Sequence, residues 1–221
     1  MNLDQALKLV KEKKIVAILR NIPWEESLPV AHALYAGGIR VMEFTYDHAR
    51  PGFMELNNRQ VESVCREFGD EMLVGCGTVL TEEEVHAGFL AGAQLIVSPN
   101  TDEKVIRAAK ERGMLSMPGA MTPTEIITAY KAGADIIKIF PAGAMGLSYI
   151  KALRAPLPHI PMSAVGGVKP ENVPEFLDAG VAGFGIGSEL VQKDALAARD
   201  YAAITRRALA YTEAIARYDQ K

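Results

Sequence analysis

The stretch Asp135-Ile136-Ile137-Lys138-Ile139-Phe140-Pro141 reads as a short buried strand, an apolar run preceded by Gly133 and closed by a proline. Its single basic residue stands where strands seldom carry one. Side chains alternate along a strand, so Lys138 shares a face with Ile136 and Phe140 while Asp135, Ile137 and Ile139 face the other way. An ammonium on an apolar face is costly, and it either pairs with a carboxylate or loses its proton. In the second case it becomes the type of amine that attacks a ketone to form a Schiff base. Taken alone, the run fits equally a strand-end lysine that reaches water or a structural ion pair.

Working outward, the same unit of strand, loop and helix recurs on both sides. Before the lysine strand come the strands Ile15–Leu19, Ile39–Phe44, Leu73–Cys76, Gln94–Ser98 and Met114–Met117. After it come Ile160–Val165 and Ala182–Ile186, for a total of eight. Helices between them have recognisable starts and stops. Pro23 opens one through Tyr35; Pro51–Phe68 forms another; Thr81 with Glu84, and Thr122 with Pro123 and Glu125, give capping boxes. Further helices are predicted at Asp102–Arg112 and Leu147–Leu153 and after Pro170. Ala36-Gly37-Gly38, Ala91-Gly92-Ala93, Ala132-Gly133-Ala134 and Ala179-Gly180-Val181 read as left-handed helix stops. Eight alternating units in 221 residues predict an α/β chain, a single-domain (β/α)₈ TIM barrel over residues 1–221, rather than an open doubly wound sheet. An amphipathic helix at Asp4–Lys14 is predicted to cap one end of the core, and a helix at Tyr201–Tyr218 to close the chain.

Composition narrows the partners. The chain is 49% hydrophobic and 23% charged with a formal net charge of -3, and it has no basic block. This argues against nucleic acid or a membrane as partner and leaves a small molecule. No run approaches a transmembrane span, and Met1-Asn2-Leu3-Asp4-Gln5 lacks the layout of a signal peptide, so a cytoplasmic location is expected. Cys65 and Cys76 do not make a disulfide framework and are expected to be reduced and buried. His32, His48, His86 and His159 lack ligand spacing, so no metal and no cofactor is expected.

In such a barrel the C-terminal strand ends face the active site. Here they offer Arg20, Glu43 with Thr45, Thr78, Ser98-Pro99-Asn100, Lys138, Gly166-Gly167, and Gly187-Ser188. Glu43 shares a face with Val41 and Thr45, so it enters the interior that receives Lys138. A carboxylate there is either the lysine's structural partner or a general acid/base with a raised pKa. The glycine pairs after the last two strands suit a phosphate cradle of backbone amides, helped by a following helix N-terminus.

The series Val16-Ala17-Ile18-Leu19-Arg20, Val41-Met42-Glu43-Phe44-Thr45, Gly75-Cys76-Gly77-Thr78-Val79, Ile96-Val97-Ser98-Pro99-Asn100, Ile137-Lys138-Ile139-Phe140-Pro141 and Ala164-Val165-Gly166-Gly167-Val168 resembles the 2-keto-3-deoxy-6-phosphogluconate aldolase family. That family includes phosphogalactonate-cleaving and 4-hydroxy-2-oxoglutarate aldolases. The resemblance implies a class I aldolase that splits a 2-keto-3-deoxy-6-phospho sugar acid into pyruvate and glyceraldehyde 3-phosphate, with no metal and as a homotrimer. By position it makes Lys138 the Schiff-base lysine and Glu43 the acid/base. Arg20, Thr45, Thr78, Pro99, Phe140 and Val165 would contact substrate, and Gly166, Gly167, Gly187 and Ser188 would hold phosphate. Two positions depart from the phosphogluconate pattern. Asp47 and His48 stand where an arginine often contacts the pyruvate carboxylate, leaving Thr78, amides near Gly77, Arg20 or Arg50 for that task. Val165 replaces a threonine, as in phosphogalactonate enzymes. The rival readings are a 4-hydroxy-2-oxoglutarate aldolase, a phosphate-binding barrel isomerase, and a non-catalytic metabolite-binding barrel.

Overall fold

A computed structural model describes residues 1–220. Nine short strands run parallel: β1 (Ile15–Arg20), β2 (Val41–Thr45), β3 (Leu73–Gly77), β4 (Leu95–Val97), β5 (Leu115–Met117), β6 (Gly119–Ala120), β7 (Ile137–Ile139), β8 (Met162–Val165) and β9 (Gly183–Ile186). Their order is β5-β4-β3-β2-β1-β9-β8-β7-β6. The predicted fifth strand, Met114–Met117, is β5, and the stave continues past it as β6 because Pro118, which has no N–H to donate, interrupts the ladder. β5 pairs with β4 and β6 pairs with β7. The Pro118 carbonyl still accepts from Lys138 N at 2.9 Å, and the Ser116 carbonyl from Asp135 N at 3.0 Å. The cylinder therefore closes with eight staves, as the repeat predicts.

The expected alternation holds along β7. Ile137 and Ile139 belong to the apolar layer between strands and helices, whereas Ile136 belongs to the interior cluster. That interior is filled at its lower end by Val16, Val41, Leu73, Leu95, Leu115 and Met117. Helix α1 (Leu3–Lys13) starts in a capping box between Asn2 and Gln5, and it presses Ala6 and Val10 into the same cluster. It is the plug that the sequence predicts.

The connecting helices are α2 (Ser27–Ala36), α3 (Phe53–Phe68), α4 (Glu82–Leu90), α5 (Glu103–Glu111), α6 (Pro123–Ala132), α7 (Ala142–Arg154) and α8 (Val173–Asp178). Gly38, Gly92, Gly133 and Gly180 take positive φ of 87°, 88°, 106° and 91°, which is where L side chains are strained. Helix α10 (Tyr201–Asp219) lies along α2 and α8. It comes so near α2 that a Cβ on Gly37 would sit 2.3 Å from Ala208 Cβ.

Some elements differ from expectation. A 3-10 turn, Trp24–Glu26, precedes α2, and α3 starts at Phe53 rather than Pro51. Helix α7 starts five residues early at Ala142 and is broken at Gly146 (φ 80°, ψ 168°). Two glycines in that first stretch hide its helical turn from any propensity argument. A five-residue helix, α9 (Lys193–Ala197), was not anticipated. Cys76 is buried as expected, but Cys65 is only half-buried.

Candidate active site

β2 and β7 are the second and sixth of eight staves, so they stand on opposite sides of the barrel. Inward side chains near their C-terminal ends point at one another across it. Glu43 is the inward residue of β2 and Lys138 that of β7; they are 1% and 7% exposed. Among the described residues they form no ion pair within 4 Å, and the Lys138 ammonium makes no hydrogen bond. A mutual structural salt bridge therefore does not account for them. Burial pushes the Glu43 carboxyl up to about 7, against the opposing pull of Lys138, the Thr45 hydroxyl and Arg20. Burial likewise lowers the Lys138 pKa; Glu43 opposes that shift and Arg20 adds to it. The pair is a depressed amine facing a carboxyl poised near neutrality.

Neighbouring residues fix these groups in place. Thr45 Oγ1 donates to Glu43 Oε2 at 2.9 Å. A Cβ on Gly77 would lie 1.8 Å from that same oxygen, so only glycine fits on β3 where the carboxyl crosses it. The role of Gly77 was missed from the sequence, where Gly75-Cys76-Gly77 carried the only trace of a close approach. Lys138 lies in register with Gly119 on one side and with Ser163 on the other. Its Nζ is 5.1 Å from the centre of the Phe140 ring, which is 45% exposed at the rim.

The remaining expected residues gather at the same end. Arg20 closes β1 beside Thr45 in register; it is exposed and has no ion pair among the described residues. Thr78 follows β3 with φ 56°. The Pro99 ring position is exposed after β4, and its carbonyl is so close to Gly119 that a Cβ there would sit 2.2 Å away. Val165 is buried, and its Cγ2 would be 2.7 Å from a Cβ on Gly185. Asp47 is turned to Arg50 at 3.5 Å and accepts from Ala49 N. Arg50 is thereby turned to Asp47, while Arg20, Thr78 and Gly77 lie together at the C-terminal ends of β1 and β3.

Gly166 and Gly167, after β8, have φ of 90° and 75°, and Gly187 and Ser188 follow the adjacent β9. Gly143 N donates to Gly166 O at 2.9 Å, and a Cβ on Gly143 would lie 2.8 Å from Gly167 Cα. The first turn of α7, directly after β7, and the loop after β8 thus interlock through glycine on both sides. The helix dipole expected behind this cradle is weak. Gly167 is followed by a 3-10 turn at Pro170–Asn172 and the six-residue α8, so an anion placed here would be met by loop amides rather than by a long helix.

Other ionisable groups lie outside this interior. His32 pairs with Glu67 and His48 with Glu84. Burial pushes the Cys76 thiol up to about 12, which removes it as a nucleophile near neutral pH. Among the described residues no three His, Cys, Asp or Glu side chains are grouped to hold a metal ion. Nor, among them, is any helix long and apolar enough to cross a membrane.

Fold and site together define a parallel barrel that holds a buried amine of lowered pKa opposite a buried carboxyl of raised pKa, with glycine-rich loops at its rim. Comparison with known proteins gives the particular case. The model of the KDPG and KHG aldolase family matches residues 7–207. The chain is 41% identical over 206 residues to the 2-dehydro-3-deoxy-6-phosphogalactonate aldolase of Escherichia coli K12, covering 91% of this chain and 96% of that one. A solved structure described as native KDPGal superposes with a TM-score of 0.84 at 38% identity, covering 94% of this chain and 96% of that one. The KDPG aldolase of Legionella pneumophila, solved with pyruvate captured as a covalent carbinolamine, superposes with a TM-score of 0.82 at 28% identity, covering 93% and 97%. The chain belongs to the KDPG and KHG aldolase family.

Proposed function

We propose that the protein is a class I aldolase that reversibly cleaves a 2-keto-3-deoxy-6-phospho sugar acid, of the phosphogluconate or phosphogalactonate type, to pyruvate and glyceraldehyde 3-phosphate. The observation that carries this reading is the opposition of an unpaired Lys138 and a Glu43 carboxyl of pKa about 7 across one buried interior. Neutral Lys138 adds to the C2 ketone, forming the C–N bond, and Glu43 delivers a proton to the carbonyl oxygen to give the carbinolamine. Glu43 takes the proton that the cationic nitrogen sheds and passes it to that hydroxyl, which leaves as water, giving a protonated imine. Glu43, now a carboxylate, takes the C4 hydroxyl proton as the C3–C4 bond breaks. The electron pair of that bond flows toward the imine nitrogen, the aldehyde departs and an enamine remains. Protonation at C3 and hydrolysis return pyruvate and the free amine. A carboxyl with a pKa of about 7 can give and take protons at each stage without a large penalty either way.

The interlocked glycine segments support a phosphorylated substrate over 4-hydroxy-2-oxoglutarate, and Arg20 is assigned to a substrate anion. The 41% identity to a phosphogalactonate enzyme makes that C4 epimer the first to test. We also assign a homotrimer, from the family resemblance, and a cytoplasmic location, in keeping with two free cysteines. The test is pyruvate release, followed continuously, from the two epimeric phosphorylated acids and from 4-hydroxy-2-oxoglutarate. A kcat/KM at least about 100-fold higher for a phosphorylated acid is expected. Equal rates on the unphosphorylated acid would sink the phosphate assignment, and proton exchange without pyruvate would promote an isomerase.

A further inference from the structure

Thr45 was expected to line the substrate site, yet its hydroxyl is already engaged. A threonine has one O–H to donate, and Oγ1 gives it to Glu43 Oε2 at 2.9 Å. The residue is held from the other side as well, because its carbonyl accepts from Asn57 Nδ2 at 2.8 Å on α3. Gly77 lies against the same carboxyl, where a Cβ would be 1.8 Å from Oε2 and 2.3 Å from Oε1. Glu43 Oε1 accepts no hydrogen bond from the protein among the described residues.

We infer that Thr45 is a positioning residue that pins Glu43 through Oε2, so that Oε1 is the oxygen that exchanges protons with substrate. This rests on the aldolase reading above and deepens it. An oxygen that accepts the threonine proton in both forms of the carboxyl remains the carbonyl-like one, so the acid proton resides on Oε1 facing the interior. The ionisable groups around Glu43 are Lys138 from β7, Arg20 from β1 and, on the far face of β3, Cys76. Both cations hold the carboxyl down, and so does the Thr45 bond, against burial. Loss of the bond leaves burial less opposed and the acid form favoured.

The test is the pH profile of cleavage by Thr45→Val, which keeps the shape and removes the hydroxyl, and by Thr45→Ser, which keeps the hydroxyl. For Thr45→Val, kcat is expected to fall about tenfold with KM changed less than about twofold, as a lost charge-assisted hydrogen bond would give. The acid limb of kcat, which rises as Glu43 ionises in the imine complex to take the C4 hydroxyl proton, is expected to move up by about one pH unit. Thr45→Ser should recover most of both changes. A rise in KM with an unmoved limb would make Thr45 a substrate contact and overturn the inference, as would an unmoved limb with unchanged kcat. If Thr45→Val fails to fold, Thr45→Ala supplies the same comparison. Failure of the underlying reading is separable, since the unaltered protein would then release no pyruvate.

Discussion

Above neutral pH Glu43 is an anion buried at 1% exposure, and a charge so placed costs stability. Its folded pKa of about 7 lies above the ordinary carboxyl value of 4.5, so the folded chain binds the proton more tightly than the unfolded one. Its contribution to stability is thus fully present below about pH 4.5 and is lost as pH rises through 7. Glu43→Gln keeps an acceptor for Thr45 and removes the charge. Relative to the unaltered protein it is expected to be roughly 2 kcal/mol more stable at pH 8 and no more stable at pH 4, while losing most of its turnover. Urea unfolding at the two pH values checks this; equal stability differences at both would contradict the burial argument. Glu43 and Lys138 were legible in the sequence because alternation on a strand assigns each side chain a face. Gly77 and the Thr45 bond were not, because both depend on the path of the Glu43 side chain toward the next strand, which no one-dimensional pattern contains.

The first turn of α7 and the loop after β8 meet where neither can carry a side chain. Gly143 and Gly167 pack backbone to backbone, and Gly143 N donates to Gly166 O. In Gly143→Ala the added Cβ must push the Gly166-Gly167 loop out of its place. The expected result is a KM for the phosphorylated acid raised about tenfold or more, with pyruvate binding at Lys138 changed much less. Comparing the two ligands in the same variant checks it; equal losses for both would mean that the loops support the whole site rather than a phosphate end. All eight staves and most helices could be read from the chain because glycine stops and capping boxes punctuate them. The break at Pro118 could not, since a strand that changes partners midway looks in sequence like one short strand followed by a turn. The early start of α7 was hidden for the related reason that Gly143 and Gly146 disfavour helix locally while the neighbouring loops hold it.

At the level of the entire barrel, chemistry and stability are kept at opposite ends. The lower interior is closed by α1 and an apolar cluster, and the upper end gathers the polar groups that a uniform core would exclude. The order of staves alone places β2 and β7 opposite one another, which turns two residues almost a hundred positions apart into a facing pair. The central claim is that Lys138 is the nucleophile, and trapping tests it most directly. The protein is reduced with borohydride in the presence of pyruvate, and its peptides are weighed. A pyruvyl adduct on Lys138 is expected, absent from Lys138→Ala, which should retain its fold and lose turnover by at least about 1000-fold. A folded protein that gives no adduct, or gives it on another lysine, or a Lys138→Ala variant that still cleaves substrate at ordinary rates, would contradict the account.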